Sequence, residues 1–413
     1  MDEHASRVCY VSCVRALAIG LVSASALFAA AACMSLSGLS ETPAADGGGL
    51  TDATSVIPDA PGEAASGDPD APSGCPVGKG DCDGNPTNGC ETDLTSSPTD
   101  CGACKHDCKG QACTASACTP LIVAQGRDSP RSLAVGIAVA WIEGPQASAS
   151  IMASSGTTLL TIAGGQNDPT DLAVDGATVY WPVKGDGKVL ACDIPCVGSP
   201  KTLWTAPPGA TASAVAFDTT TLYWMAPGFS GGAMLSTPKG TPVADGGGRA
   251  LGTFLSIGAD TIASGNSNVW YADTRDGGTL RGLAKGIAGG ATNALDGLGA
   301  LGAFYNNGGV IYFVTSGPAG SVRACDVPTC ANPPVYAVAQ ANPVDVVSDG
   351  ASVYWATQGL GASDGAIWKC PRTGTCTPQK MAGGQGKPSS IDLDATYVYW
   401  TNAGDGAIRK TPK

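Results

Sequence analysis

Histidine is almost missing from this chain of 413 residues, which has only His4 and His106. The commonest general base and metal ligand is therefore absent from everything after residue 106, and a Ser-His-Asp arrangement is excluded there. Basic side chains are also scarce: 23 lysines and arginines face 35 aspartates and glutamates, for a net charge of −12. That balance argues against nucleic acid as a partner and against electrostatic attraction to anionic lipid. No stretch sustains a 3.6-residue apolar period, and 58 glycines and 29 prolines work against a helical architecture. Beyond one N-terminal run, no apolar segment approaches the roughly 20 residues of a membrane-spanning helix.

Against this sparse background an aromatic doublet recurs. It occurs at Trp141, Tyr180-Trp181, Tyr223-Trp224, Trp270-Tyr271, Tyr312-Phe313, Tyr354-Trp355 and Tyr399-Trp400. The steps between the seven Trp or Phe positions are 40, 43, 46, 43, 42 and 45. A repeat of roughly 40–45 residues with internal turn signals is the size of a four-stranded β-propeller blade. Neighbouring residues on a strand point to opposite faces, so each doublet puts bulk on both sides of a small sheet. Both faces then need a neighbour, and stacking in a ring supplies one. The expected fold is all-β: seven antiparallel four-stranded blades, with six or eight as alternatives.

In four units an aspartate precedes the Trp by six positions, at Asp175, Asp218, Asp349 and Asp394, and Asn307 stands six before Phe313. It reads as the start of a tight turn that its side chain holds by bonding nearby backbone. A second turn follows the aromatics at Asp186-Gly187, Asp276-Gly277, Asp364-Gly365 and Asp405-Gly406. Asp-Gly suits a two-residue hairpin with positive φ at both central positions. The glycines around 240–248 mark a longer loop, expected between the third and fourth units. The last unit has only three β-rich runs, while 120–125 resembles the fourth run of other units. That segment is therefore expected to complete the seventh blade and latch the ring.

The N-terminal part divides differently. Arg7 and Arg15 precede an apolar run from Ala16 to Ala32, the layout of a secretory signal over residues 1–32. Residues 33–74 are Ser, Ala, Gly, Asp and Pro with few large apolar side chains, and read as a disordered tether of roughly 35 Å average reach. Residues 75–118 hold eight of the 17 cysteines and too few apolar residues for a core, so they need staples. Residues 119–413 carry the repeats.

Three cysteines, Cys9, Cys13 and Cys33, fall in the signal region, and the remaining 14 form an even set, as an oxidising compartment requires. The expected disulfide cysteines are Cys75, Cys82, Cys90, Cys101, Cys104, Cys108, Cys113 and Cys118, whose connectivity the spacing leaves open. The close pairs Cys192/Cys196, Cys325/Cys330 and Cys370/Cys376 join them. Cys101, Cys104, His106 and Cys108 also have a zinc-like spacing. Asp81, Asp83 and Asn85 occupy alternating positions of a calcium loop, although Pro86 replaces its glycine and Thr92 its terminal glutamate. Disulfides and simple turns are the competing readings, and no metal or other cofactor is required.

Three resemblances extend these readings. Ala30-Ala31-Ala32-Cys33 resembles a bacterial lipobox, which implies lipidation of Cys33 and, with Met34 following, an outer-membrane lipoprotein. The alternative is an ordinary Ala-x-Ala cleavage site and a secreted protein. The run from Gly80 to Asp93, with Cys101 to Cys108, resembles a Cys-rich module of bacterial surface proteins. Tyr399-Trp400-Thr401-Asn402 resembles a YWTD repeat, the propeller unit of low-density-lipoprotein-receptor-type proteins. That likeness implies the fold and a tendency to bind a protein or carbohydrate ligand on one ring face. The expected function is accordingly an extracytoplasmic binding or scaffolding propeller with no catalytic residues. A calcium-dependent lactonase- or lyase-like enzyme and a purely structural envelope protein are the alternatives.

Overall fold

The structure, a computed structural model, describes residues 74–413 except 245, 254–260, 274–277, 286–291, 297, 299, 328–332 and 374–375. The signal, Cys33 and residues 33–73 of the tether lie outside the described residues, as do the Asp276-Gly277 turn and Cys330. No helix among the described residues is long and apolar enough to cross a membrane.

Seven four-stranded antiparallel sheets form a β-propeller. The innermost strands, in chain order, are Arg131–Val135, Ala173–Asp175, Val215–Phe217, Ile262–Ser264, Leu301–Asn307, Pro343–Ser348 and Pro388–Leu393. Each sheet is a meander from inside to outside, and only the seventh takes a strand from elsewhere. Its outermost strand is Leu121–Ala124, paired with Ala407–Pro412 through Ile408 opposite Ala124 and Lys410 opposite Leu121. The two ends of the propeller sequence thus close one blade, as the shape of the incomplete last unit suggests.

The aromatic doublets explain the stacking. The first residue of each doublet faces the following blade and the second faces the preceding one. Tyr180 packs with Leu222 and Trp224 of blade 3, whereas Trp181 packs with Ile142 and Ile151 of blade 1. Tyr399 meets Trp141 across the closing seam. Every one of the seven seams has such a buried core. Burying a large aromatic contributes roughly 1.5–3 kcal/mol, so these seams are the main source of ring stability. Blade 4 corrects the repeat register. Its doublet is reversed, so Tyr271 faces blade 3 and Trp270 faces blade 5. Position along the strand, not residue type, decides which seam is filled.

A second contact recurs at three seams. The indole N–H of Trp181 donates to Gln166, that of Trp355 to Gln340 and that of Trp400 to Gln385, at 3.1, 2.9 and 3.0 Å. Each glutamine ends the outermost strand of the preceding blade. At blade 3 the corresponding place is Gly209, and the Trp224 indole N–H is buried without a partner among the described residues.

Two turn readings are corrected. Val183 pairs with Lys188 and Asn402 with Ala407, so the Asp-Gly turns there are four-residue loops rather than two-residue hairpins. Only the glycine of each has positive φ, +62° at Gly187 and +64° at Gly406. The glycine-rich segment near 240–248 lies between the third and fourth strands of blade 3, Ala233–Pro238 and Arg249–Thr253, not between units. It is pinned to blade 2: Val243 N–H donates to Leu203 C=O and Gly246 N–H to Thr205 C=O.

Residues 75–118 form two minimal ladders, Lys79–Gly80 with Thr92–Asp93 and Cys113–Thr114 with Ala117–Cys118. Their interior is sulfur rather than hydrocarbon: Cys101, Cys108, Cys113 and Cys118 are its buried cluster. The module rests on blade 6, where Gly102 approaches the Gln379 side chain so closely that a Cβ would sit 3.0 Å from its nitrogen.

Candidate functional site

The innermost strands surround a channel that opens into a cavity of about 390 Å³. Arg131, Thr170, Asp171, Tyr305, Asp345 and Asp392 contribute its polar lining. The three aspartates share one geometry. Asp171 accepts from its neighbour Leu172 N–H at 2.9 Å and from Val215 N–H of blade 3 at 3.0 Å. Asp345 accepts from Val346 N–H at 2.9 Å, and from Ile391 N–H and Ser390 Oγ of blade 7 at 2.9 and 3.0 Å. Asp392 accepts from Leu393 N–H at 2.8 Å and from Val135 N–H of blade 1 at 2.7 Å. Each carboxylate therefore bridges its own blade to the next. Ser390 does the same more weakly by accepting from Leu133 N–H at 3.0 Å.

Loss of hydration pushes the Asp345 carboxyl up to about 6, against the opposing donors Ile391, Val346 and Ser390. Loss of hydration likewise carries Asp392 to about 7, with the charges of Asp345 and Asp394 adding to the rise and two N–H donors opposing it. Tyr305, half-buried nearby, is raised to about 12 by desolvation and by the charge of Asp392. Arg131 stands at the start of the first innermost strand. Its Nη1 donates to Gly144 C=O at 3.0 Å, and its Nη2 is buried without a partner among the described residues.

The aspartates singled out by the repeat are elsewhere, at the turns between first and second strands. Asp218, Asp349 and Asp394 each accept turn N–H groups two and three residues ahead, together with the hydroxyl of their own blade's Tyr223, Tyr354 or Tyr399. At three seams a lysine of the next blade reaches the turn. Lys285 bonds Asp218, Lys413 bonds Asp349, and Lys239 bonds Asp175. Burial opposes ionisation of Asp218, yet Lys285, the turn N–H groups and Tyr223 hold it well below the usual carboxylate range. These are structural locks on the ring. Asn307 departs from the pattern and donates to Ser348 C=O of blade 6.

The module's disulfides are Cys75–Cys90, Cys82–Cys104, Cys101–Cys113 and Cys108–Cys118. Cys192–Cys196 and Cys370–Cys376 are local clips, and Cys325 is also disulfide-bonded. Cys101, Cys104 and Cys108 therefore offer no thiolate, and the zinc reading of that spacing fails. In the calcium-like loop, Asp81 accepts from Gly84 and Asn85 N–H, and Asp83 from Asn85 N–H and Asn88 Nδ2. Asn85 turns inward onto Thr87. Asp81, Asp83 and Glu91 are the group whose oxygens lie within 4.8 Å of one another. Glu91 stands one place before the position that a calcium loop would use, and the spacing did not single it out. The channel aspartates were also missed, although Asp171 and Asp345 share a repeat position ten residues before Trp181 and Trp355, with Asp392 eight before Trp400. Asp345 and Asp392 carried the signal of an acidic residue inside an innermost strand, whereas Asp171 lies two residues before its strand Ala173–Asp175.

No family model matches the chain, and no curated protein matches it. Solved structures do. A streptogramin B lyase superposes with a TM-score of 0.54 at 13% identity, covering 71% of this chain and 96% of that one. Virginiamycin B lyase from Staphylococcus aureus gives 0.54 at 12% identity, covering 71% and 98%. The WD40 propeller domain of Doa1 gives 0.54 at 8% identity, covering 71% and 97%. At these identities the likeness is one of fold: the chain is a seven-bladed β-propeller with a disulfide-rich N-terminal module. Its many disulfides are those of an extracytoplasmic protein.

Proposed function

We infer that the protein is a binding or scaffolding propeller of the cell envelope that takes a protein or carbohydrate ligand on one ring face and performs no catalysis. The observation that supports this reading is the state of the channel carboxylates. Asp171, Asp345 and Asp392 each hold backbone N–H groups of two blades. Groups bound in that way keep a ring shut and are poorly placed to exchange protons with a substrate. The two histidines lie outside the blades, at positions 4 and 106. The lipobox-like Ala30-Ala31-Ala32-Cys33 supports a bacterial lipoprotein held at the outer membrane by Cys33, with residues 33–74 as its tether.

The test has three parts. Purified protein is incubated with streptogramin B and with a panel of lactones, with and without calcium, and products are followed by mass spectrometry. Turnover of any of them overturns the non-catalytic reading. Binding is then screened on glycan and envelope-protein arrays with wild type and Tyr305→Ala, which removes the largest polar side chain of the cavity. Loss of a saturable signal in the variant supports a ligand at the channel. Membrane fractionation of wild type and Cys33→Ala tests the anchor, and identical soluble behaviour rejects it.

A further inference from the structure

Blade 5 lacks one part of the lock that other blades carry. At Asp218, Asp349 and Asp394 the turn aspartate accepts from N–H groups two and three residues ahead and from a tyrosine hydroxyl five residues ahead. Blade 5 has the same surroundings with Asn307 in place of the aspartate. Tyr312 stands five residues on, and Asn307 pairs with Val310 across the turn.

The cation of the lock is in place as well. Lys239, Lys285 and Lys413 reach Asp175, Asp218 and Asp349 of the preceding blades. Each directly follows the third strand of its blade, and their backbone N–H groups donate to Thr220, Ser267 and Thr396 C=O. In blade 6 the third strand Gly365–Pro371 is followed by Arg372, whose N–H donates to Ala351 C=O in the same way. Its Nη1 reaches Gly350 C=O at 3.4 Å. A Cβ on Gly350 would lie 3.7 Å from Asn307 Nδ2. Arg372 and Asn307 thus flank one glycine, and Arg372 has no carboxylate partner among the described residues.

Asn307 is followed by Gly308 and Gly309. Gly308 is exposed, has φ of +61°, and has open space where a Cβ would stand. Its N–H donates no hydrogen bond among the described residues. The Gly308 nitrogen therefore meets no side chain of its own on the way to the Asn307 amide carbon, and water reaches the turn.

We propose that Asn307 is a site of spontaneous deamidation whose aspartate product completes the lock between blades 5 and 6. The Gly308 nitrogen attacks Asn307 Cγ and forms an N–Cγ bond. The side-chain amide leaves as ammonia, carrying the proton lost by Gly308. Water then opens the cyclic imide. Breaking the N–Cγ bond restores the backbone and leaves a side-chain carboxylate. Breaking the other N–carbonyl bond gives isoaspartate, which lengthens the backbone by one methylene. The net change consumes water and releases ammonia. Only the aspartate fits the turn, where its carboxylate accepts from the Gly309 and Val310 N–H groups, the Tyr312 hydroxyl and Arg372. These contacts replace the donation of Asn307 Nδ2 to Ser348 C=O. Isoaspartate re-forms the imide, so the folded ring draws the product towards aspartate.

The full chain is aged in mildly alkaline buffer, folded in one sample and unfolded in guanidinium with reductant in another, until the unfolded sample has converted. Peptide maps then separate asparagine, aspartate and isoaspartate at position 307. Conversion in the folded sample is expected, with an aspartate-to-isoaspartate ratio about threefold or more above that of the unfolded one. Asn307→Asp should melt about 1–3 °C above wild type, and Arg372→Gln should reduce that gain. An amide retained in the folded sample, an equal product ratio in the two samples, an Asn307→Asp chain no more stable than wild type, or a gain untouched by Arg372→Gln overturns the proposal.

Discussion

Asp392 accepts a hydrogen bond from the backbone N–H of Val135, 2.7 Å away and 257 residues distant in sequence. With the Leu133–Ser390 bond it ties the innermost strands of the last and first blades, laid over the apolar contact of Tyr399 with Trp141. Asp392→Ala leaves that N–H without its acceptor, and a loss of about 1–3 kcal/mol in unfolding free energy is expected. Asp392→Asn keeps an acceptor oxygen and should lose less. Denaturant melts of both variants measure this, and an alanine variant as stable as wild type would show the tie to be idle.

The same pair of channel carboxylates sets a pH dependence. Asp345 and Asp392 have folded-state values of about 6 and about 7, above the ordinary aspartate value of about 3.9. The folded state then binds protons more tightly than the unfolded chain between about pH 4 and 7, so their contribution to stability falls as pH rises through that window. The turn aspartates act in the opposite sense. Asp218, Asp349 and Asp394 are lowered, and their contribution is lost only as pH drops below the usual carboxylate range. The melting temperature should rise from pH 8 to pH 5 and collapse below pH 4. In Asp345→Asn, Asp392→Asn the first slope should flatten while the acid collapse persists. A double variant with an unchanged slope would remove these carboxylates as its source.

Much of the ring was legible in the sequence because its dominant force is periodic. A doublet such as Tyr354-Trp355 must repeat wherever two sheets are to be joined, so its spacing carries both the blade size and the blade number. The closing strand was legible for a related reason: Leu121–Ala124 copies the composition of other outermost strands. Contacts between blades that break the repeat were not legible. Asp345 and Asp392 serve different seams from non-equivalent positions, and Lys369 meets the module only through the docking of residues 75–118. Disulfide partners were hidden as well, since spacing among eight cysteines does not say which approach one another in three dimensions.

Gln385 offers a sharper mutational test than the other seam glutamines. Its Oε1 accepts from Trp400 Nε1, Asn402 Nδ2 and Arg409 Nη1, at 3.0, 3.0 and 3.2 Å, and the side chain is buried. Gln385→Leu would take the acceptor from three donors and leave the buried Trp400 indole N–H without one, while Asn402 and Arg409 keep Asp405, with an expected cost of about 2–3 kcal/mol. Gln340→Leu removes the bond from the Trp355 indole at 2.9 Å and an exposed one to the Val338 carbonyl at 3.1 Å, and should cost about 1 kcal/mol. Equal effects in urea melts would place the stabilisation elsewhere in the seam.

The oxygens of Asp81, Asp83 and Asn85 already satisfy the N–H groups of their own turns. Chelator should therefore leave the melting temperature within about 1 °C, as expected of a protein whose folded state gains nothing from an ion. A calcium-dependent rise that Asp83→Ala abolishes would restore the metal reading of Asp81, Asp83 and Glu91.

Two truncations separate the latch from the module. A chain starting at Thr119 keeps the strand Leu121–Ala124 and loses the disulfide module; a chain starting at Gly126 loses both. In the second, the edge of Ala407–Pro412 is left open and the backbone pairing of Ile408, Arg409 and Lys410 is removed. Buried Ala124 and its packing beside Ile408 go with it. Each lost ladder bond is worth about 0.5–1.5 kcal/mol, so the deficit should amount to several kcal/mol and expose a sheet edge prone to association. The chain starting at Thr119 should melt close to the full protein, and the chain starting at Gly126 far below it, with a concentration-dependent tendency to aggregate. If both melt alike, the seventh blade holds without its borrowed strand, and closure rests on the Asp392–Val135 and Ser390–Leu133 ties and the Tyr399–Trp141 core.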